Sequence, residues 1–584
     1  MRPARPAERI VPRTSMVVPA PNEESHRTQT AAGALVEVLV ALGVEHAFGL
    51  VGGAIAPFCD ALLGSSIQVM HARHEGGAGF AAVESSLASG RPALVFTTTG
   101  PGLTNAITGM VAARWEGAKV ILVSGVTSSH QRGRGAFQET SPYTMGGTGL
   151  FHPGAIFDYA VTVESAAELH EVASRLASGL ARPGAFVAHV ALPIAIQSIP
   201  AESPVRARVA SMRPGCDDAG VAQIAEMLAH EPFVVWLGFG ARDASHAVRQ
   251  LVERSGAKVM CSPRAKGIFP EDHPQFLGVT GLGGHASVGS YMVAHRPRHV
   301  LVLGSRLGEF TSFWAPELTP RESFVHVDID ATSFGAAYPE VETVGVQAEI
   351  RPFVMALANQ FDAPSSRTVG TRPLDVAPIP RRDFGVRPTA AMAAIQRVIV
   401  DATDAIVLTE AGNAFLLGSH LLRFSEAGRY RTSTGFGSMG HAVAGVIGAA
   451  LGGRRKAVAI VGDGAMLMQS EVSTAVQYGI KAVWIVLNDA RYGMVDSGMR
   501  ANGLRPVETE IPSADFIAIA RGMGADGIRV TCETDLDLAL ESAMVADRPF
   551  VVDVVLDRTA PLPSYGRIQS LQKQGVTGNE ERGK

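Results

Sequence analysis

Short apolar runs that close on glycine recur along the chain, each followed by a stretch with helical spacing. In the first third these are HAFGLVGG, ALVFTTTGPG and KVILVSGV, preceded by the helix-like ALVEVLVALGV. A second set contains PFVVWLGFG, AKVMCS, HVLVLGS and FVHVDID, and a third contains AIVLTEAG, KAVAIVGDG, KAVWIVLND and FVVDVVLD. β-rich segments that end in glycine turns and alternate with helical ones predict parallel βαβ units. The predicted fold class is therefore α/β, with three doubly wound parallel-sheet domains over residues 27–195, 214–362 and 385–560. The segments SIPAESPVRARVASMRP and APSSRTVGTRPLDVAPIPRRDFGVRP between them are proline-rich, polar and read as linkers. Residues 1–26 read as a disordered leader, and 561–584 as a polar tail able to fold over a site.

Composition narrows the chemistry. Charged residues are 18% of 584 positions, below the roughly 25% of an average soluble domain, while 46% are hydrophobic, enough for several cores. A formal net charge of −4 supplies no basic footprint for nucleic acid or for an anionic membrane. No uninterrupted apolar run is long enough to predict a membrane span, and no signal or transit pattern opens the chain. Cys59, Cys216, Cys261 and Cys532 are scattered without a CxxC pair, which fits packing roles in a reducing cytoplasm. Small-molecule chemistry is the expectation. The glycines at strand ends, among them Gly52, Gly53, Gly100, Gly412, Gly437, Gly462 and Gly464, mark where backbone approaches a ligand.

The strongest local signal is KAVAIVGDGAMLMQSEVSTAVQYGIKAVWIVLND, read as strand 456–461, a Gly-Asp-Gly turn, a helix over 468–478 and strand 482–488. A right-handed crossover places both strand ends on one sheet edge, so Asp463 and Asp489 emerge near each other. Two carboxylates beside a glycine turn suit a hard divalent cation bound to a diphosphate, with the amides of Gly464 and Ala465 facing phosphate. A GDG turn alone is more often an ordinary strand-to-helix connection; the surrounding strand-helix-strand pattern and the second acid shift that balance.

With these residues in place, the chain resembles thiamine-diphosphate-dependent enzymes of the acetolactate synthase group. That family carries a GDG turn, about two dozen residues, a paired NN and a segment like xxxGMV; here the ending is Asn488, Asp489, Ala490, Arg491, Tyr492, Gly493, Met494 and Val495. The resemblance implies that Asp463, the Asp489 side chain and the backbone carbonyl of Arg491 hold Mg²⁺ against the diphosphate, with Gly493 and Met494 in the matching cofactor segment. Asp489 stands where the family has a second Asn; it keeps an oxygen ligand and adds a negative charge. In HARHEGGAGF and TTTGPGLTN, similarity makes Glu75 the carboxyl group that relays a proton to N1′ of the aminopyrimidine, with Asn105 beside it. Thr434 to Gly440 resembles the family segment GGLGTMG, so Gly437 accepts from the 4′-amino group and Met439 wedges between the cofactor rings. Gly412 and Asn413 match the diphosphate side. AFQE over 136–139 repeats the family's substrate-side segment, giving Phe137 and Gln138 catalytic or substrate-side roles. GIFPEDHPQFLG and HVDIDATSFG extend the match through the middle. The implied domains are pyrimidine-binding, central and diphosphate-binding, and the implied assembly is a homodimer or homotetramer in which Glu75 and Asp463 of one site come from different subunits.

Departures from the family bear on the reaction. The lysine that follows AFQE falls near Phe151 and the tryptophan that follows GMV falls near Gly498, which predicts a larger, less polar pocket and a substrate pair other than two pyruvates. The expected reaction joins an acyl unit from a 2-oxo acid to a second carbonyl compound; the alternatives are simple decarboxylation, flavin-linked oxidation and a non-catalytic scaffold. Gly304, Ser305 and Arg306 resemble a segment that contacts FAD, although the LGEF that follows departs from it. His74, His130 and His441 are candidate proton donors, against the commoner structural role of an isolated histidine.

Overall fold

The computed structural model describes residues 29–204, 215–362, 379–468, 470–562 and 567–576, so the leader and parts of both linkers and of the tail lie outside it. The first sheet contains β1 His46–Gly49, β2 Gln68–His71, β3 Ala93–Thr97, β4 Lys119–Val126, β5 Tyr159–Thr162 and β6 Phe186–Pro193, all parallel, in the order β2-β1-β3-β4-β6-β5. The middle sheet contains β7 Val234–Leu237, β8 Lys258–Cys261, β9 Phe276–Val279, β10 His299–Leu303, β11 Ser323–Asp328 and β12 Glu342–Gln347, ordered β12-β11-β10-β7-β8-β9. The third contains β13 Ile406–Thr409, β14 Tyr430–Thr432, β15 Ala457–Gly462, β16 Ala482–Asn488, β17 Asp526–Val530 and β18 Phe550–Val555, ordered β14-β13-β15-β16-β18-β17. The three predicted α/β domains are thus present.

The first and third sheets share one connectivity, with the order reversing between β1 and β3 and between β13 and β15. The middle sheet has the dinucleotide-fold order, reversing between β7 and β10. Ligands of open parallel sheets bind outside the strand carboxyl ends at such reversals. The interior strands are buried on both faces, as continuous Val, Ile, Leu and Ala runs require.

The helical detail differs from expectation at one important place. In place of one helix over 468–478, a short helix Asp463–Met466 begins on the aspartate itself, and a second runs over Glu471–Tyr478. The tail also departs from a purely polar strand of chain. A helix over Arg567–Lys573 buries Ser570, whose Oγ donates to Glu309 Oε1 at 2.6 Å in the middle domain.

The first and third domains join through helices Glu75–Ser89 and His441–Gly453. Glycine allows the approach: a Cβ on Gly448 would lie 1.8 Å from the Ala81 carbonyl oxygen, and one on Gly452 2.4 Å from that of Ser85. Each helix starts at a predicted site segment, because Glu75 opens one and Gly440 caps the other. Among the described residues no helix is long and apolar enough to cross a membrane.

Candidate active site

In the third domain the site forms at the β13/β15 reversal. Beyond the end of β13 at Thr409, Gly412 takes φ 105°, a backbone setting that favours glycine, and delivers Asn413 as the first residue of helix Asn413–Leu421. Gly462 pairs with Leu487, so the residues after β15 and β16 emerge side by side. Strand alternation then separates the Asn488–Asp489 pair. Asn488 turns inward and donates from Nδ2 to Asp553 Oδ1 at 2.9 Å, while Asp489 reaches the site.

Asp463 is 3% exposed, and its buried Oδ2 makes no full hydrogen bond, although the backbone N–H groups of Ala490 and Arg491 approach the carboxyl and favour its charged form. Burial and the neighbouring Asp489 push its carboxyl up to about 6. Burial also raises Asp489, against the pull of Arg491, whose Nε lies 2.9 Å from Asp489 Oδ2. Gly493 is closely surrounded; a Cβ there would meet Asp489 Oδ2 at 2.7 Å and Asn413 Nδ2 at 2.8 Å. Asp463, Asp489, Asn413 and Gly493 therefore form one cluster. Among the described residues no group of three or more His, Cys, Asp or Glu side chains could hold a metal, so a cation here needs oxygens from backbone or phosphate beside the two carboxylates.

Two local expectations change. The Gly464 amide is not free for phosphate, since it donates to Asp463 Oδ1 at 2.7 Å, and a Cβ on Gly464 would lie 2.5 Å from Cε1 of Tyr492; Ala465 is buried beside it. The Arg491 carbonyl accepts the Gly493 N–H at 2.9 Å, which leaves one lone pair for a cation.

The first-domain half lies at the β1/β3 reversal. Glu75 is 7% exposed at the start of its helix, and Asn105 Nδ2 donates to its Oε2 at 3.1 Å. Gln138 sits against Gly100, with Thr99 Oγ1 donating to its Oε1 at 3.3 Å, and Phe137 beside it is 89% exposed. His74 caps the Glu75 helix, its Nδ1 accepting from Gly76 N at 3.0 Å. His130 is exposed in the short 3-10 helix Ser129–Gln131.

The Thr434–Gly440 segment runs from β14 to helix His441–Gly453. Gly437 has φ 66° with open space where a Cβ would stand, and Met439 is 37% exposed. His441 is buried and bonded through Nε2 to Glu84 Oε1 at 3.0 Å, an ion-pair partner and not a free proton donor. The residues that pattern reading missed are Glu84, Glu116 and Arg431, buried charges on helices and a strand whose partners lie hundreds of positions away. Only a helix-to-turn contact reveals them.

Within the chain, no hydrogen bond or ion pair between described residues joins Glu75, Asn105 or Gln138 to Asp463, Asp489 or Asn413. The halves do meet beside these residues: Glu471, which opens the helix after the Asp463 turn, accepts from Arg73 N at 3.0 Å and from His74 N at 3.1 Å, next to Glu75. Phe151 corrects the pocket expectation: it is 3% exposed and packs on His189 with ring centroids 5.6 Å apart, so it opens no space. Gly498 does leave open space. Gly304 is wedged on Gly240, and the Arg306 guanidinium lies 6.0 Å from the Trp115 ring centroid.

The chain matches three family models: thiamine pyrophosphate enzyme N-terminal TPP binding domain over residues 29–145, central domain over 221–357 and C-terminal TPP binding domain over 410–554. It is 27% identical to acetolactate synthase isozyme 1 large subunit of Escherichia coli over 90% of this chain and 94% of the relative. It is 28% identical to the acetolactate synthase large subunit of Corynebacterium glutamicum over 93% of this chain and 89% of the relative. The solved thiamine diphosphate-dependent 4-hydroxybenzoylformate decarboxylase of Rhodococcus jostii RHA1 superposes with a TM-score of 0.80 at 22% identity, covering 91% of this chain and all of the other. The matched segments contain both halves of the site, and the chain belongs to the thiamine-diphosphate-dependent enzymes of the acetolactate synthase-like family.

Proposed function

We propose that this enzyme decarboxylates a 2-oxo acid and joins the acyl unit to a second carbonyl compound, with Mg²⁺ seated between Asp463 and Asp489. The observation that carries the metal assignment is the buried Oδ2 of Asp463, which makes no full hydrogen bond. An anionic oxygen in that state is costly, and a divalent cation relieves it. Arg491 neutralises the charge that Asp489 adds relative to an asparagine, so the pair presents a net charge like the family's. Thiamine diphosphate, when bound, supplies an electron sink for the carbanion left by decarboxylation.

The chain's own residues do the rest. Asn413 and the N-terminus of its helix would hold diphosphate oxygens. The Gly437 carbonyl would accept from the aminopyrimidine, and Met439 would support the ring. Glu75, fixed through Oε2 by Asn105, keeps Oε1 to hold and release a proton. No hydrogen bond or ion pair between described residues joins Glu75 to Asp463 within one chain, and in line with the resemblance we assign a complete site to two chains, Glu75 from one and Asp463 from the other. Mixing inactive E75Q and D463A chains under conditions that exchange subunits tests this. About a quarter of parent activity is expected from the heterodimer's one intact site; no recovery contradicts a shared site.

By the resemblance, the substrate side lacks a cation near Phe151, and Gly498 leaves room, which supports bulkier, less charged substrates than two pyruvates. Simple decarboxylation is the second reading, favoured by that missing cation, which would otherwise hold a charged second acid. Incubation with thiamine diphosphate, Mg²⁺ and a panel of 2-oxo acids separates them: a ligated hydroxy ketone or 2-hydroxy-3-oxo acid supports ligation, and aldehyde alone overturns it. The FAD expectation rests on Gly304, Ser305 and Arg306, and a flavin absorbance band in the purified protein decides it.

A further inference from the structure

We infer that Glu116 is a positioning residue that sets the turn assigned to the aminopyrimidine, acting on Gly437 through Ser433; the inference rests on the cofactor reading above. Glu116 is the last residue of the first-domain helix Pro101–Glu116 and is 1% exposed. Its Oε1 accepts from Ser433 Oγ at 2.7 Å, from Gly435 N at 3.1 Å and from Phe436 N at 3.4 Å. The same Ser433 Oγ accepts the Gly437 N–H at 3.0 Å. A chain of hydrogen bonds therefore runs from a first-domain carboxylate to the backbone of the residue expected to meet the cofactor's amino group.

The carboxylate is itself fixed. Arg264 of the middle domain lies with Nη1 3.1 Å from Glu116 Oε2 and donates from Nη2 to the Glu116 carbonyl at 2.8 Å. All three domains thus meet on one side chain. A second first-domain carboxylate, Glu84, holds both ends of the same segment, accepting from Arg431 Nε at 2.8 Å and bonding His441 Nε2 at 3.0 Å. The segment has few other supports. Gly437 sits in a left-handed conformation with nothing within 4 Å of a Cβ position, and Phe436 and Met439 are 40% and 37% exposed. A turn with so little packing holds one geometry only if its amides are bonded, and an anionic acceptor bonds them more strongly than a neutral one.

The test is a titration of thiamine diphosphate at saturating Mg²⁺ into full-length protein, read by quenching of intrinsic fluorescence and by near-ultraviolet circular dichroism of the bound cofactor. Variants are E116A, E116Q and S433A. E116A strands two amides and a hydroxyl, so the dissociation constant should rise about tenfold or more with an altered dichroism band. E116Q keeps an acceptor oxygen and should restore affinity to within about threefold of the parent, and S433A should weaken binding about fivefold. Melting temperatures that fall while cofactor affinity and dichroism stay at parent values would show a role in stability alone and overturn the inference. If E116A does not fold, S433A, which deletes one hydroxyl, decides. Failure of the parent itself to bind thiamine diphosphate would sink the cofactor reading, whereas parent binding with unchanged variants sinks only the role of Glu116.

Discussion

Gly448→Ala probes the helix crossing on which both halves of the chain's site segments are mounted. The added Cβ would stand 1.8 Å from the Ala81 carbonyl oxygen and 2.9 Å from the Ser85 amide nitrogen, where ordinary contact begins at 3.4 Å. The obstruction is backbone on a buried helix, so no rotamer change relieves it, and the helices must part by about 1.5 Å. Overpacking of this kind costs about 3 kcal/mol, the upper end of the usual range, and alanine returns about 1 kcal/mol of helix propensity over glycine. The net loss of about 2 kcal/mol corresponds to a melting temperature lower by roughly 5 °C for a domain of this size. The separation also displaces Glu75 and Gly440, which begin the two helices. A displacement near 1 Å at a reacting centre can cost about 100-fold, so kcat/KM should fall at least about tenfold. The control is Gly522→Ala, a helix-end glycine with nothing within 4 Å, expected to match the parent. Differential scanning fluorimetry and turnover on the preferred 2-oxo acid measure both effects; a G448A protein with parent stability and parent turnover would refute the crossing as described.

Other outcomes follow from single side chains. Glu75→Gln should lower turnover by about 100-fold or more while leaving thiamine diphosphate affinity near the parent value, as expected for loss of a proton carrier and not of a binding contact; steady-state rates beside a binding titration check this. Burial pushes the Glu84 carboxyl up, but Arg431 and His441 more than offset it and hold it down to about 2. A depressed carboxylate contributes stability that is complete above its ordinary value near 4.5 and is lost as pH falls toward 2, a contribution of about 3 kcal/mol. Denaturation midpoints measured from pH 5 downward should drop more steeply in the parent than in E84Q, and parallel profiles would remove Glu84 from acid sensitivity. Burial lowers His189 to about 4, so the neutral ring, bonded to Ser124 Oγ at 2.7 Å, loses stability as pH falls from about 6.5 toward 4. His189→Asn should flatten that part of the same profile.

The interior strands of the sheets were legible because burial on both faces leaves an unbroken apolar run, as in KAVAIVGDG for β15 and KAVWIVLND for β16. The runs did not reveal β2, β5, β9, β12, β14 and β17, and these are the six sheet edges. The Glu342–Gln347 strand, ETVGVQ, shows no buried position at all, and the fully buried β14, YRT, is only three residues long and carries a charge. Interior β6 was also missed, since His189 and Pro193 interrupt its apolar sequence. The pairing of Asp463 with Asp489 followed from βαβ handedness alone. That the helix begins at Asp463 did not, because Gly464 bonding back to the aspartate is a property of the folded turn. Glu84 and Glu116 were invisible for a different reason: a lone acid on an apolar helix carries no sign of a partner over 300 residues away.

The proposed chemistry depends on a divalent cation held on Asp463 for a diphosphate cofactor. Isothermal titration of thiamine diphosphate into the parent and into Asp463→Asn, each with Mg²⁺ and then with a chelator, tests it most directly. Tight binding by the parent is expected only with Mg²⁺, with weakening beyond about 100-fold in D463N, since changes to outer-shell partners alone cost 10- to 100-fold. Binding by D463N equal to that of the parent, or parent binding indifferent to chelation, would contradict it.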